Sequence, residues 1–174
     1  LGSDILKIES LIDEKKYECF IANDNSNGQL VISGRIDHLN KFVDDLKNLK
    51  IKNITLPVSG PFHCELMNKA TIKMEPEIKK LEFNIGEKIL ISNVTANEMK
   101  NPEEIKKLLI KQIESRVRWR ESIIYMIKKG VNHFIEIGPG KVLSGLIKRI
   151  DKTVIVDAIN SEEDINNIKK NDKF

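Results

Sequence analysis

Apolar residues recur along this chain with two different periods, and the switches between them mark out the elements. Ile5, Ile8, Leu11 and Ile12 share one helical face across residues 3–14, with Ser3 or Asp4 available as the N-cap. Residues 17–22 (YECFIA) and 29–34 (QLVISG) read as strands around the turn-rich NDNSNG, which predicts an antiparallel pair. Helical spacing returns at Ile36, Leu39, Phe42, Val43 and Leu46, and residues 50–56 are extended again. This α-β-β-α-β order needs one leading strand to become the split βαββαβ unit, and the chain begins about where that strand should end. A missing N-terminal piece is expected.

The character changes after Pro57. Residues 63–81 are helical in pattern through Leu66, Met67, Ala70 and Met74, and Pro76 is expected to break or kink that helix. KILISN at 88–93 predicts a compact apolar strand, and residues 102–130 predict one or two helices through Ile105, Leu108, Leu109, Ile113, Trp119, Ile123 and Met126. Residues 133–141 followed by VLSGLIKRI give strand, glycine turn and helix, Val154 to Val156 adds a last strand, and SEEDINNIKKNDKF reads as a polar tail. The expected divisions are therefore a small unit at 1–57, a second α/β part at 58–160, and a tail at 161–174.

Composition excludes several classes. Hydrophobic residues make up 40% and charged residues 32% of the 174, which suits a globular chain with a real core. No apolar run approaches the roughly 18 residues of a membrane span, so no membrane association is expected. The charge of +3 is spread along the sequence and aromatics are only 5%, so no nucleic-acid surface is expected either. Cys19 and Cys64 lack CxxC spacing and form no metal set with the three scattered histidines. No metal or cofactor is called for, and a reducing, cytoplasmic setting is the default. The first stretch, LGSDILKIES, has no secretory pattern.

Two short stretches carry candidate chemistry. GPGK at 138–141 sits between strand and helix, where N–H groups can cradle phosphate. It fits neither phosphate pattern: Ile135 and Val142 stand where a Walker loop needs Gly and Ser or Thr, Leu143 stands where a dinucleotide loop needs Gly, and Pro139 removes a donor. It reads as a structural turn. In LPVSGPFHCELM, Pro57, Ser59, Gly60 and Pro61 stiffen a loop that delivers His63 at a junction, the way general bases are held. Cys64 is expected to pack, because neighbours on a helix point about 100° apart and cannot form a Cys-His dyad. His38 and His133 are read as surface or edge residues, His133 having no partner in view.

LPVSGPFHCELM, GQLVISG and EIGPGKVLSGLIKRI, in that family's motifs and order, resemble the malonyl-CoA:acyl carrier protein transacylases of fatty-acid synthesis. The resemblance spans about residues 1–160. It implies an α/β fold: a ferredoxin-like small subdomain without its first strand at 1–57, then the C-terminal part of an α/β-hydrolase-like large subdomain. It implies that His63 is the catalytic base, that the main-chain carbonyl of Gln112 in KQIESRVRW orients it, and that Phe62 favours malonyl over a branched acyl group. Malonyl-CoA and acyl carrier protein are the implied partners, the latter acidic and suited to a lysine-rich surface. The family's GHSxG serine has no counterpart here, since Ser33, Ser59, Ser92 and Ser144 all lack the GxSxG frame. The serine and the family's carboxylate-binding arginine are expected upstream, possession of a base without a nucleophile leaves the chain inactive alone, and poor solubility is expected from unpaired edges. The alternative is a catalytically inactive, carrier-protein-binding module from a split or decayed gene.

Overall fold

The structure is a computed structural model that describes residues 2, 4–84 and 86–170, apart from the side chains of residues 169 and 170. The chain forms two compact units, Leu1–Ser122 and Ile123–Phe174. That division falls well beyond the 57/58 boundary expected from the change of pattern.

In the first unit, α1 (Ile5–Lys15) starts where the Asp4 carboxylate accepts the Leu6 N–H at 2.7 Å; the other candidate cap, Ser3, lies outside the described residues. Strands β1 (Cys19–Ser26) and β2 (Gln29–Gly34) pair antiparallel, with Phe20 opposite Ser33 and Ile21 opposite Ile32. Helix α2 (Ile36–Asn48) covers them. Ile8, Ile12, Cys19, Ile21, Phe42 and Leu46 make the buried cluster, and Leu30, Ile32 and Ile51 pack against it. This is the amphipathic pattern at work: each element contributes its apolar stripe to one core.

Two expectations fail in this region. The polar residues 23–26, read as turn, belong to β1, which narrows the turn to Asn27 and Gly28, the latter at φ 73°. They hold strand geometry because β1 is paired on its other edge as well: Val117 N–H donates to the Ala22 carbonyl, and Asp24 N–H donates to the Val117 carbonyl at 2.9 Å. Asp24, 1% exposed, is also gripped by the Arg120 guanidinium at 2.7 to 3.0 Å. Residues 51–56, expected as a strand, are not one. A strand needs a ladder partner, and no strand lies beside them among the described residues. Instead they share with β2 the lining of a cavity of about 770 Å³ that includes Val31, Ser33, Ile54, Leu56, Phe62 and His63.

A 3-10 turn at Glu65–Met67 leads into α3 (Asn68–Lys80), which continues four residues past Pro76. Pro76 therefore does not end the helix. The KILISN strand shrinks to β3 (Leu90–Ile91), paired with β4 (Glu98–Met99) around a turn with Ala96 at φ 53°. Next comes α4 (Pro102–Lys111), started by Asn101 Oδ1, which accepts the Glu104 N–H, while Glu104 reaches back to the Lys100 N–H at 2.7 Å. Helix α5 (Trp119–Lys128) follows, so the 102–130 stretch is two helices.

In the second unit, β5 (His133–Ile137) and β6 (Ile155–Ile159) pair in parallel with α6 (Val142–Ile150) as the connection between them. His133, expected to lack a partner, faces Asp157 with Nε2 to Oδ2 at 2.8 Å. The polar tail is helical over α7 (Glu162–Lys170), and its residues 171–174 lie outside the described residues. Ser161 Oγ accepts the Asp164 N–H and Asp164 returns to the Ser161 N–H, a reciprocal cap, and Ile168 is buried. Of its two isoleucines only Ile168 is buried, Ile165 staying 38% exposed, so the helix rests on one buried apolar residue and a cap. Among the described residues no helix is long and apolar enough to cross a membrane.

Candidate active site

The candidate site lies within the first unit and is built around the turn that carries His63. Pro57 to Pro61 resist helix, since proline fixes φ and biases the residue before it toward extended backbone. The chain then turns at Phe62 and His63 before the 3-10 turn begins. His63 itself has φ 61°, in the left-handed region that costs a non-glycine residue about 1–2 kcal/mol. Strain of this kind persists only where neighbours hold it.

Three hydrogen bonds do so. Ser33 Oγ, from β2, donates to the Phe62 carbonyl at 2.7 Å, and Cys64 Sγ donates to the Pro61 carbonyl at 3.0 Å. His63 Nδ1 lies 3.1 Å from the Gln112 carbonyl oxygen. Gln112 caps the C-terminus of α4, where the last carbonyls of a helix have no intrahelical donor and are free to accept from a side chain. A carbonyl can only accept, so this contact requires the proton on Nδ1 and leaves the Nε2 lone pair free. An exposed bond from Asn68 Nδ2 to Glu114 Oε1, 3.2 Å, ties the start of α3 to the segment after Gln112.

The expected site residues thus fall in one place: His63 against the Gln112 backbone, with Phe62 next to it, its side chain 47% exposed on the cavity wall. Cys64 is buried at 2% exposure, and burial raises its thiol above the ordinary value; Cys19 is pushed up to about 11 for the same reason. Both thiols are free and protonated at neutral pH, and neither is an activated nucleophile. Three of the four serines named above are committed or buried as well. The Ser33 proton is committed to the Phe62 carbonyl, Ser92 is buried, and Ser144 in the second unit donates to Glu136 at 2.6 Å.

Sequence reasoning overlooked Ser33, whose only advance signal was a polar residue after the apolar run Leu30 to Ile32 of β2. It also missed what the arginines of SRVRWRE do. Arg116 meets Glu9 at 2.8 Å, Arg118 meets Glu121, and Arg120 meets Asp24. All three guanidinium groups are engaged by carboxylates of their own unit: Arg116 and Arg120 tie distant segments together, and the Arg118 pair is local, at the start of α5.

The GPGK turn is closed in a similar way. Glu136 accepts from the Leu143 and Ser144 N–H groups, and Asn160 Oδ1 accepts from Gly140 N–H at 2.5 Å. The donors a phosphate would need are already occupied by side chains of the same unit. Among the described residues, no group of His, Cys, Asp and Glu could hold a metal ion.

No protein-family profile matches the chain. Whole-sequence relatives do. The malonyl CoA-acyl carrier protein transacylase of Staphylococcus aureus (strain COL) is 38% identical over 178 residues, covering 99% of this chain and 57% of the relative. The crystal structure of the transacylase of the same name from Clostridium perfringens superposes with a TM-score of 0.92 at 35% identity, covering 98% of this chain and 55% of that one. A malonyl-transacylase solved in complex with a type II PKS acyl-carrier protein gives 0.93 at 31% identity, over 99% and 57% of the two chains. The chain spans about half the length of the curated relatives it matches.

Proposed function

This chain belongs to the family of malonyl-CoA:acyl carrier protein transacylases, and we propose that it supplies the base half of their acyl-transfer site. Over the part it spans it has the α/β fold of that family: a ferredoxin-like small subdomain, with neither the first nor the last strand of the split unit formed among the described residues, and part of an α/β-hydrolase-like large subdomain.

The observation that carries the reading is the 3.1 Å contact between His63 Nδ1 and the Gln112 carbonyl. With Nδ1 protonated, Nε2 takes the proton of a serine hydroxyl as its oxygen attacks the malonyl thioester carbonyl. The tetrahedral intermediate collapses, the C–S bond breaks, and coenzyme A leaves with the proton from Nε2. The pantetheine thiol of acyl carrier protein then attacks the malonyl-serine ester, giving its proton to Nε2, which returns it to the serine. Gln112 holds the ring throughout by its backbone oxygen. Phe62 stands beside the base and takes up room that an α-methyl group would need, a preference of about 1–3 kcal/mol for malonyl.

The serine of this scheme comes from the part of the relatives' length that this chain does not span. We place the activity in the cytoplasm, whose reducing conditions keep Cys19 and Cys64 as thiols. The test is a chimaera in which residues 1–174 replace the matched 178 residues of the S. aureus relative. It should move malonyl from malonyl-CoA to acyl carrier protein, and the 174-residue chain alone should form no malonyl adduct by intact mass. Transfer by a chimaera carrying His63→Ala at the unsubstituted rate would remove His63 from the mechanism. A correctly folded chimaera that binds acyl carrier protein without any transfer would favour the binding-module reading.

A further inference from the structure

Ser33 is not part of any chemistry described above, yet it makes a contact with one obvious consequence. Its hydroxyl, one residue before the end of β2, spans to the Phe62 carbonyl at 2.7 Å, a bond between segments 29 residues apart in sequence. Phe62 is the residue before His63, so its carbonyl belongs to the peptide that sets the φ of His63. Holding that carbonyl holds the peptide plane, and the peptide plane fixes the left-handed backbone, φ 61°, from which the imidazole reaches Gln112.

The position of Ser33 suits this role. Strand side chains alternate between faces. Leu30 and Ile32 pack against the buried core, so by alternation Ser33 lies on the other face of β2, and it lines the same cavity as Phe62 and His63. The strand gives the hydroxyl a rigid mount, because Ser33 is paired with Phe20 of β1. The bond from Cys64 Sγ to the Pro61 carbonyl comes from within the turn itself and cannot relate it to a separate element. Ser33 joins the turn to the sheet by a side-chain hydrogen bond.

We propose that Ser33 is a positioning residue: its hydroxyl, anchored on β2, holds the Phe62 carbonyl and thereby keeps His63 in the backbone conformation that places Nδ1 on the Gln112 carbonyl. This rests on the reading of His63 as the base, but it is tested without activity.

The experiment is a long-range proton-nitrogen spectrum of the ¹⁵N-histidine-labelled 174-residue chain, neutral His63 assigned by comparison with His63→Gln, in three forms: unsubstituted, Ser33→Ala and Ser33→Thr. The unsubstituted chain should show His63 in one tautomer with the proton on Nδ1. Ser33→Ala should mix the two tautomers, shifting both ring nitrogens toward the averaged position, and Ser33→Thr, which keeps the hydroxyl on a strand-favouring residue, should restore the single tautomer. Thermal melts of the same samples separate a structural effect, since a merely structural serine would lower the midpoint without moving the tautomer. An unchanged His63 spectrum in Ser33→Ala, or failure of Ser33→Thr to restore it, overturns the proposal. If instead the unsubstituted chain carries the His63 proton on Nε2, it is the base reading that fails.

Discussion

Two short turns of this chain look alike in sequence and behave differently in structure. Both are rich in proline and glycine, and both lead into helical backbone. In the GPGK turn the positive φ angles fall on Gly138 and Gly140, at 137° and 92°, and the helix-end N–H groups are taken by Glu136 and Asn160 of the same unit. In the other, the left-handed residue is His63, which pays a steric cost that glycine would avoid, and its support includes Ser33 from β2 and the carbonyl of Gln112 from the end of α4. A turn closed on itself with glycine where glycine is needed is a fold element. A turn that strains a histidine and holds it from two other elements, with one ring nitrogen left free, is the arrangement that the proposed base role calls for.

The comparison breaks or sharpens at defined positions. The largest effect is expected at His63. In the chimaera, His63→Ala should lower transfer about 10²–10⁴-fold, the usual loss for a general base. His63→Gly should be equally inactive yet more stable than His63→Ala by about 1 kcal/mol, because it relieves the left-handed strain. Equal unfolding midpoints for those two variants would mean that φ 61° carries no strain.

Next in size, Phe62→Ser should raise use of methylmalonyl-CoA relative to malonyl-CoA about tenfold in competition, read from the acylated carrier protein by mass. In the second turn, Gly140→Ala should cost about 1–2 kcal/mol by denaturant unfolding and leave the chimaera's catalytic rate per folded molecule unchanged. A fall in that rate would show that GPGK is more than a structural turn.

Smaller still is the contribution of Glu136. The Ser144 hydroxyl and the N–H groups of residues 142–144 hold its carboxyl below the ordinary value of 4.5. A lowered folded pKa stabilises the fold above the unfolded value and is lost as pH falls through the folded value. Unfolding midpoints of the unsubstituted chain and Glu136→Gln should therefore differ most above pH 4.5 and converge on acidification below it. The least effect is expected from Cys64→Ser, which keeps a donor for the Pro61 carbonyl and should change stability by less than about 1 kcal/mol, whereas Cys64→Val should cost more. At pH 8 neither buried thiol should react with iodoacetamide until the chain is denatured.

Local periodicity made much of the fold legible. The amphipathic stripes of α1 and α2 and the apolar runs of β1 and β2 stand in the sequence because each buries one face in a shared core. What depended on a distant partner did not. Residues 51–56 have a strand's pattern but no strand to pair with among the described residues, so they remain extended without a ladder. Residues 23–26 look like a turn yet continue β1, because Val117 and Arg120 supply partners from nearly a hundred positions away. The tail read only as polar because its cap at Ser161 and Asp164 and its single buried Ile168 are too sparse to register as a stripe. At the site, the stiff loop around His63 was visible in its prolines and glycine, and Gln112 came through family resemblance. The role of Ser33 was invisible, since nothing in a serine near the end of a strand announces which carbonyl its hydroxyl will find.

The account stands on the ring of His63 being fixed by the Gln112 carbonyl. The measurement that bears on it most directly is the tautomer of neutral His63 in the unsubstituted 174-residue chain, read from its two ring-nitrogen shifts. A single form protonated on Nδ1, with Nε2 bare, is the predicted result; a proton on Nε2, or a freely exchanging mixture, would contradict it.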